Sequence, residues 1–107
     1  MLISHRMVVV YKTPADKAAF DAHYFDVHVP MAKQLPGLRR FEVSTGPVTA
    51  LLGASDIYFI ATLHFDSMAD IGAAFASDCG KACGEDRKVM APNDADVQIF
   101  LFDDREV

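Results

Sequence analysis

Three stretches of this chain are apolar on both faces of an extended strand, and that limits what it can fold into. From Met7 to Tyr11, the residues Met7, Val9 and Tyr11 fall on one side and Val8 and Val10 on the other. Ile57 to Phe65 sets Ile57, Phe59, Ala61, Leu63 and Phe65 against Tyr58, Ile60, Thr62 and His64, again with apolar groups on both sides. Val97 to Phe102 is apolar on both faces as well. Strands of this kind need cover on both sides.

The segments between them supply helices for one side only. The first strand spans Ile3 to Lys12. Thr13-Pro14-Ala15-Asp16 reads as a helix start, with Thr13 as cap and Pro14 at the first helical position. Phe20, Tyr24, Val27 and Met31 form an i, i+4, i+7, i+11 stripe. Pro30 has no N–H for an interior helical bond, so the helix is expected to kink or end near His28. Leu35-Pro36-Gly37 is a turn, and Leu38 to Gly46 a second strand. Val48 to Ser55 reads as loop. After the strand Ile57–Phe65, Ser67 caps a helix carrying Met68, Ile71 and Phe75. Asp78 to Met90 reads as a helical stretch broken by Gly80 and Gly84, and Asp103 to Glu106 as a solvated tail.

The order strand, helix, strand, strand, helix, strand is the ferredoxin-like α+β arrangement. It consists of a four-stranded antiparallel sheet with its helices on one face. The other face would leave a large apolar patch on a lone chain. Two sheets packed face to face across a two-fold axis would cover it, so a homodimer with a barrel-like core is expected.

Composition narrows the class further. With 107 residues, a single domain over 1–107 is expected. The net charge of −5 and the lack of any basic run beyond Arg39-Arg40 argue against nucleic acid as a partner. The apolar run Met7–Tyr11 is far short of the roughly 20 residues that span a bilayer. Two cysteines are too few for a disulfide scaffold, and no secretory leader is legible. The expectation is an acidic, cytoplasmic protein with reduced thiols and no membrane role.

The richest segment chemically is His23-Tyr24-Phe25-Asp26-Val27-His28-Val29-Pro30. His28 is the candidate proton carrier, since imidazole titrates near neutrality. Tyr24 lies one helical turn before it, within reach. The competing reading is that His28 only satisfies a backbone carbonyl at the break and Tyr24 only fills the core. His23 is five residues from His28, about 140° round an α-helix, so the two are expected on different faces with no shared metal. His5 and His64 lie on strands and read as satisfied polar groups. Arg39 suits a surface ion pair, whereas Arg40 is a candidate for steering an anionic or enol substrate. Cys79 and Cys83, at i, i+4, read as small buried side chains.

The motifs Tyr11-Lys12-x-Pro14-x-Asp16, Ala19-Phe20, His23-Tyr24 with His28-x-Pro30, and Leu35-Pro36-Gly37-Leu38-Arg39-Arg40-Phe41 resemble the EthD family. The likeness runs from Tyr11 to about Gly46. It implies the dimeric α/β barrel group, whose wider membership includes muconolactone-type isomerases, cofactor-free monooxygenases and small decarboxylases or cyclases. The family name comes from a gene cluster for ethyl tert-butyl ether degradation, which adds ether degradation to the expectations. Two readings follow. One is a cofactor-independent enzyme, without metal, that acts on a small hydrophobic or aromatic compound of catabolic or polyketide-type metabolism. His28 would move a proton, as in an isomerase, decarboxylase or monooxygenase. Tyr24 or Arg40 would stabilise charge on oxygen, and Tyr11, Phe20, Met31 and Phe41 would line the cavity. The other is a non-catalytic accessory or carrier that presents a hydrophobic compound to a degradative oxygenase.

Overall fold

The strands form as their alternation predicts. In the computed structural model, which describes residues 3–107, β1 is Ile3–Lys12, β2 Arg40–Val43, β3 Ile57–Phe65 and β4 Val97–Arg105. All pair antiparallel in the order β2-β3-β1-β4. That is the ferredoxin-like topology, with helices on one face and an α+β class. β2 is shorter than the expected Leu38–Gly46. β4 is longer than expected: the supposed tail pairs with the start of β1, where Asp103 takes a hydrogen bond from His5 at 2.6 Å.

The helices cover the face that carries Met7, Tyr11, Phe59, Ala61, Leu63 and Phe65, all buried. α1 is Lys17–His23, and its cap is Asp16, not Thr13. The Asp16 carboxylate accepts the Ala19 N–H at 3.0 Å, three residues into the turn. The helix does not end at His28. It widens into a π turn over Tyr24–His28 and resumes as α2, Val29–Ala32. The Val29 N–H reaches back five residues to the Tyr24 carbonyl. Pro30 accounts for the position: in a regular turn its ring would press on the carbonyl four residues back.

α3 is Met68–Ala76, capped by Ser67, which accepts the Asp70 N–H at 3.0 Å as expected. α4, Asp78–Met90, runs unbroken through Gly80 and Gly84. Gly80 does not break the helix. It is where α4 crosses the end of α3, and a Cβ there would fall 2.3 Å from the Ala74 carbonyl oxygen.

A register shift between Tyr11 and Lys12 turns Tyr58 towards the helices. Its hydroxyl donates to Asp21 of α1 at 2.8 Å, against the expectation that it shared a face with Ile60. β4 is open on both faces: Ile99 (52% exposed) and Leu101 on the helix side, Phe100 and Phe102 (39%) on the other.

Candidate functional site

Aromatic packing builds the site's floor. Tyr11 meets Phe20 and Tyr24 edge to face, Tyr24 meets Phe59 the same way with centroids 4.6 Å apart, and Phe20 stacks on Tyr24. Tyr24 is almost wholly buried, and its ring lies 5.3 Å from that of His28. Beside this cluster is a cavity of about 260 Å³ between the sheet and α4. Tyr11, Tyr24 and His28 line it, with Leu63 and Phe41 from the sheet and Arg87 from α4. Ile99 of β4 stands half-exposed in its wall.

His28 is buried, and its Nδ1 lies 2.8 Å from Oδ2 of Asp86 on α4. His23 Nε2 reaches the other oxygen of the same carboxylate, also at 2.8 Å. The two histidines were expected on different faces; the structure brings them to one group. The expectation used the α-helical period. The π turn adds a residue to the turn between them, which sets the fifth residue nearly above the first. Among the described residues no three His, Cys, Asp or Glu side chains are grouped to hold a metal ion. In this trio the carboxylate sits between the imidazoles as a hydrogen-bond acceptor.

Burial pushes the Asp86 carboxyl up, but hydrogen bonds from His28 and His23 outweigh it and hold the group below the usual carboxylate range. An ionised carboxylate only accepts, so the ring nitrogens facing it carry hydrogens. In neutral His28 this leaves Nε2 with its lone pair for the cavity that the ring lines.

The two phenols behave differently. Burial raises the Tyr11 hydroxyl to about 12, with Arg87 drawing it partly back. Burial raises Tyr24 further still, with Tyr11 adding to it. Both therefore stay protonated at neutral pH, and neither makes a side-chain hydrogen bond among the described residues. They offer the cavity hydrogen-bond donors, not bases.

Of the residues singled out from sequence, His28, Tyr24, Tyr11 and Phe41 meet at the cavity. Phe20 packs in the aromatic floor without lining it, and Met31 is half-buried against the core. Arg40 is not brought to His28. It lies opposite His64 on β3 and pairs with Glu42 at 2.9 Å, with its side chain largely exposed. Arg39 forms the expected surface pair, with Asp66 at 2.7 Å. His64 hydrogen-bonds Glu42. Cys83 is buried and Cys79 half-buried, both as free thiols.

Two residues escaped the sequence reading. Arg87 supplies the cavity wall with a cation, held by its Nη1 to the Ala91 carbonyl and Asp94, each at 3.0 Å. Asp86 had a legible signal. Cys79, Cys83, Asp86 and Met90 are spaced i, i+4, i+7, i+11, so the carboxylate falls on the buried stripe of α4. A charge at such a position needs a partner.

The fold and site define a class: a ferredoxin-like α+β domain whose first helix, widened by a π turn, presents a histidine to a cavity above the sheet. Residues 12–93 match the EthD domain. The chain belongs to the EthD family. It is 39% identical over 103 residues to an uncharacterized 11.0 kDa protein of the thcB-thcC intergenic region of Rhodococcus erythropolis, covering 95% of each chain. It is similar to the crystal structure of an ethyl tert-butyl ether D (EthD) family protein from Bacillus halodurans, with TM-score 0.79, 32% identity, and 97% and 99% of the chains covered. It also shares its fold with SnoaB, a cofactor-independent oxygenase from Streptomyces nogalater, at TM-score 0.69 and 13% identity, over 97% and 95% of the chains.

Proposed function

We propose that this protein is a small enzyme that moves a proton on an apolar ring compound bearing a carbonyl or enol, without a bound metal or organic cofactor. The observation that carries the reading is the Asp86–His28 pair at a cavity that also holds two protonated phenols. His28 Nε2 accepts a proton from carbon or from an enol hydroxyl, and Asp86 stabilises the imidazolium that forms. Tyr24 and Tyr11 donate hydrogen bonds to the oxygen on which charge develops, and Arg87 stabilises that charge in place of Arg40. The cavity suits one or two small rings, being near the lower end of ligand pockets. SnoaB supports the cofactor-free part of the reading, as an oxygenase of this fold that works without one. A saturated dialkyl ether offers His28 no acidic proton, so the site fits an enolisable compound better than an ether.

The test needs no knowledge of the natural substrate. In heavy water, the wild-type protein should accelerate exchange of the α-hydrogens of a small aromatic ketone such as β-tetralone. His28→Gln should abolish that acceleration and keep its melting temperature within a few degrees. Equal exchange in both proteins would remove His28 from the chemistry.

The mostly apolar lining favours a second reading, in which the cavity holds a hydrophobic compound for a degradative oxygenase. Retention of the ketone with no exchange would support it.

The assembly we propose is a homodimer through the sheet faces. Val8, Val10, Ile60, Phe100 and Phe102 share the face that no helix covers. A second copy supplies the matching surface.

A further inference from the structure

The proton-acceptor reading leaves His23 without a task, yet its geometry is specific. His23 does not line the cavity; it borders a separate groove that Pro14 and Met90 also line. Its Nε2 hydrogen-bonds Asp86 Oδ1, while Oδ2 faces His28 Nδ1. The carboxylate side chain is only 10% exposed, and among the described residues these two imidazoles are its hydrogen-bonding side chains.

A buried carboxylate held at one oxygen is free to rotate about its last bond and leaves the other oxygen partly unsatisfied. Held at both, it has one orientation. We infer that His23 is a positioning residue: by holding Asp86 Oδ1 it turns Oδ2 onto His28 Nδ1. This fixes the ring form of His28 whose Nε2 is unprotonated in the cavity. The inference rests on the proposed role of His28 and names what prepares it.

Three facts converge on this. The π turn is what brings His23 and His28 to one carboxylate. The bond uses the far nitrogen of His23, the one a glutamine amide can imitate. His23 itself is not among the residues that line the cavity.

The experiment is heteronuclear NMR of the histidine rings in the intact protein, run beside the β-tetralone exchange assay. In wild type, His28 should be in the Nδ1–H form. His23→Ala should give a mixture of both ring forms at His28 and slow exchange at saturating ketone by on the order of tenfold to a hundredfold. His23→Gln, which restores an N–H at the same reach, should recover the single form and most of the rate. A single Nδ1–H form with the wild-type rate in His23→Ala overturns the inference and leaves the role of His28 standing. An Nε2–H form in the wild-type protein overturns the role of His28, and this inference with it.

Discussion

Asp86 is where the chemistry of the site and the stability of the fold meet. Its carboxyl titrates below the usual range because two imidazoles donate to it. The sign of the consequence is fixed. A group whose folded value is depressed stabilises the protein fully above its unfolded value, about 3.9 for aspartate. That stabilisation is lost as the pH falls through the folded value. Asp86→Asn should therefore cost about 2 kcal/mol at neutral pH. The gap between variant and wild type should shrink as the pH drops below about 4. Thermal melts across that range check it; a gap that stays constant would mean that the histidine contacts do not bind the carboxylate preferentially. Cys83 gives a second prediction. Burial pushes its thiol up to about 12, with Cys79 adding to it. Iodoacetamide at about pH 8 should leave Cys83 unmodified in the native protein and label it on unfolding.

At the scale of elements, two glycines of similar sequence context separate cleanly. Gly80→Ala would drive a methyl to within 2.4 Å of the Phe75 Cα, into backbone that cannot yield. It should destabilise by about 3 kcal/mol or more, read by denaturant melts. Gly72, exposed in the middle of α3 with nothing within 4 Å of an added Cβ, should gain about 0.5–1 kcal/mol on becoming Ala. The sequence could not tell these apart, because helix propensity treats both as weak points. What decides is the approach of another helix. The same lesson holds for the site. The Ser67 cap, β1 and β3 were legible from local rules, since caps and alternation act within a few residues. The meeting of His23 and His28 was not, because an α-helical wheel assumes a constant period and Pro30 changes it locally. Asp86 needed its own helix and the first helix placed together before its role was visible.

For the whole molecule, the open face of the sheet is the commanding feature. The sequence already implied it, through strands apolar on both sides and helices enough for one. The structure adds that β4 is uncovered on both faces. Phe100, on the edge strand, lies opposite Val8 on the bare face, and Phe102 two residues further along the same strand. Light scattering should give about twice 11.7 kDa for the wild-type chain. Phe100→Glu should shift it to a monomer, because a carboxylate buried in that contact has no partner. An unchanged mass would direct attention to the other side of β4.

The widened turn before Pro30 has a consequence for comparing this chain with its relatives. Two histidines five apart across a π turn occupy nearly the same positions as two histidines four apart on a plain α-helix. A relative that lacks one residue between them, and lacks the proline, would lose nothing of the arrangement around the carboxylate. A gap of one at this point is thus a geometrically silent difference. A relative that keeps the spacing of five but runs straight through as an α-helix would separate the pair, even with every side chain identical.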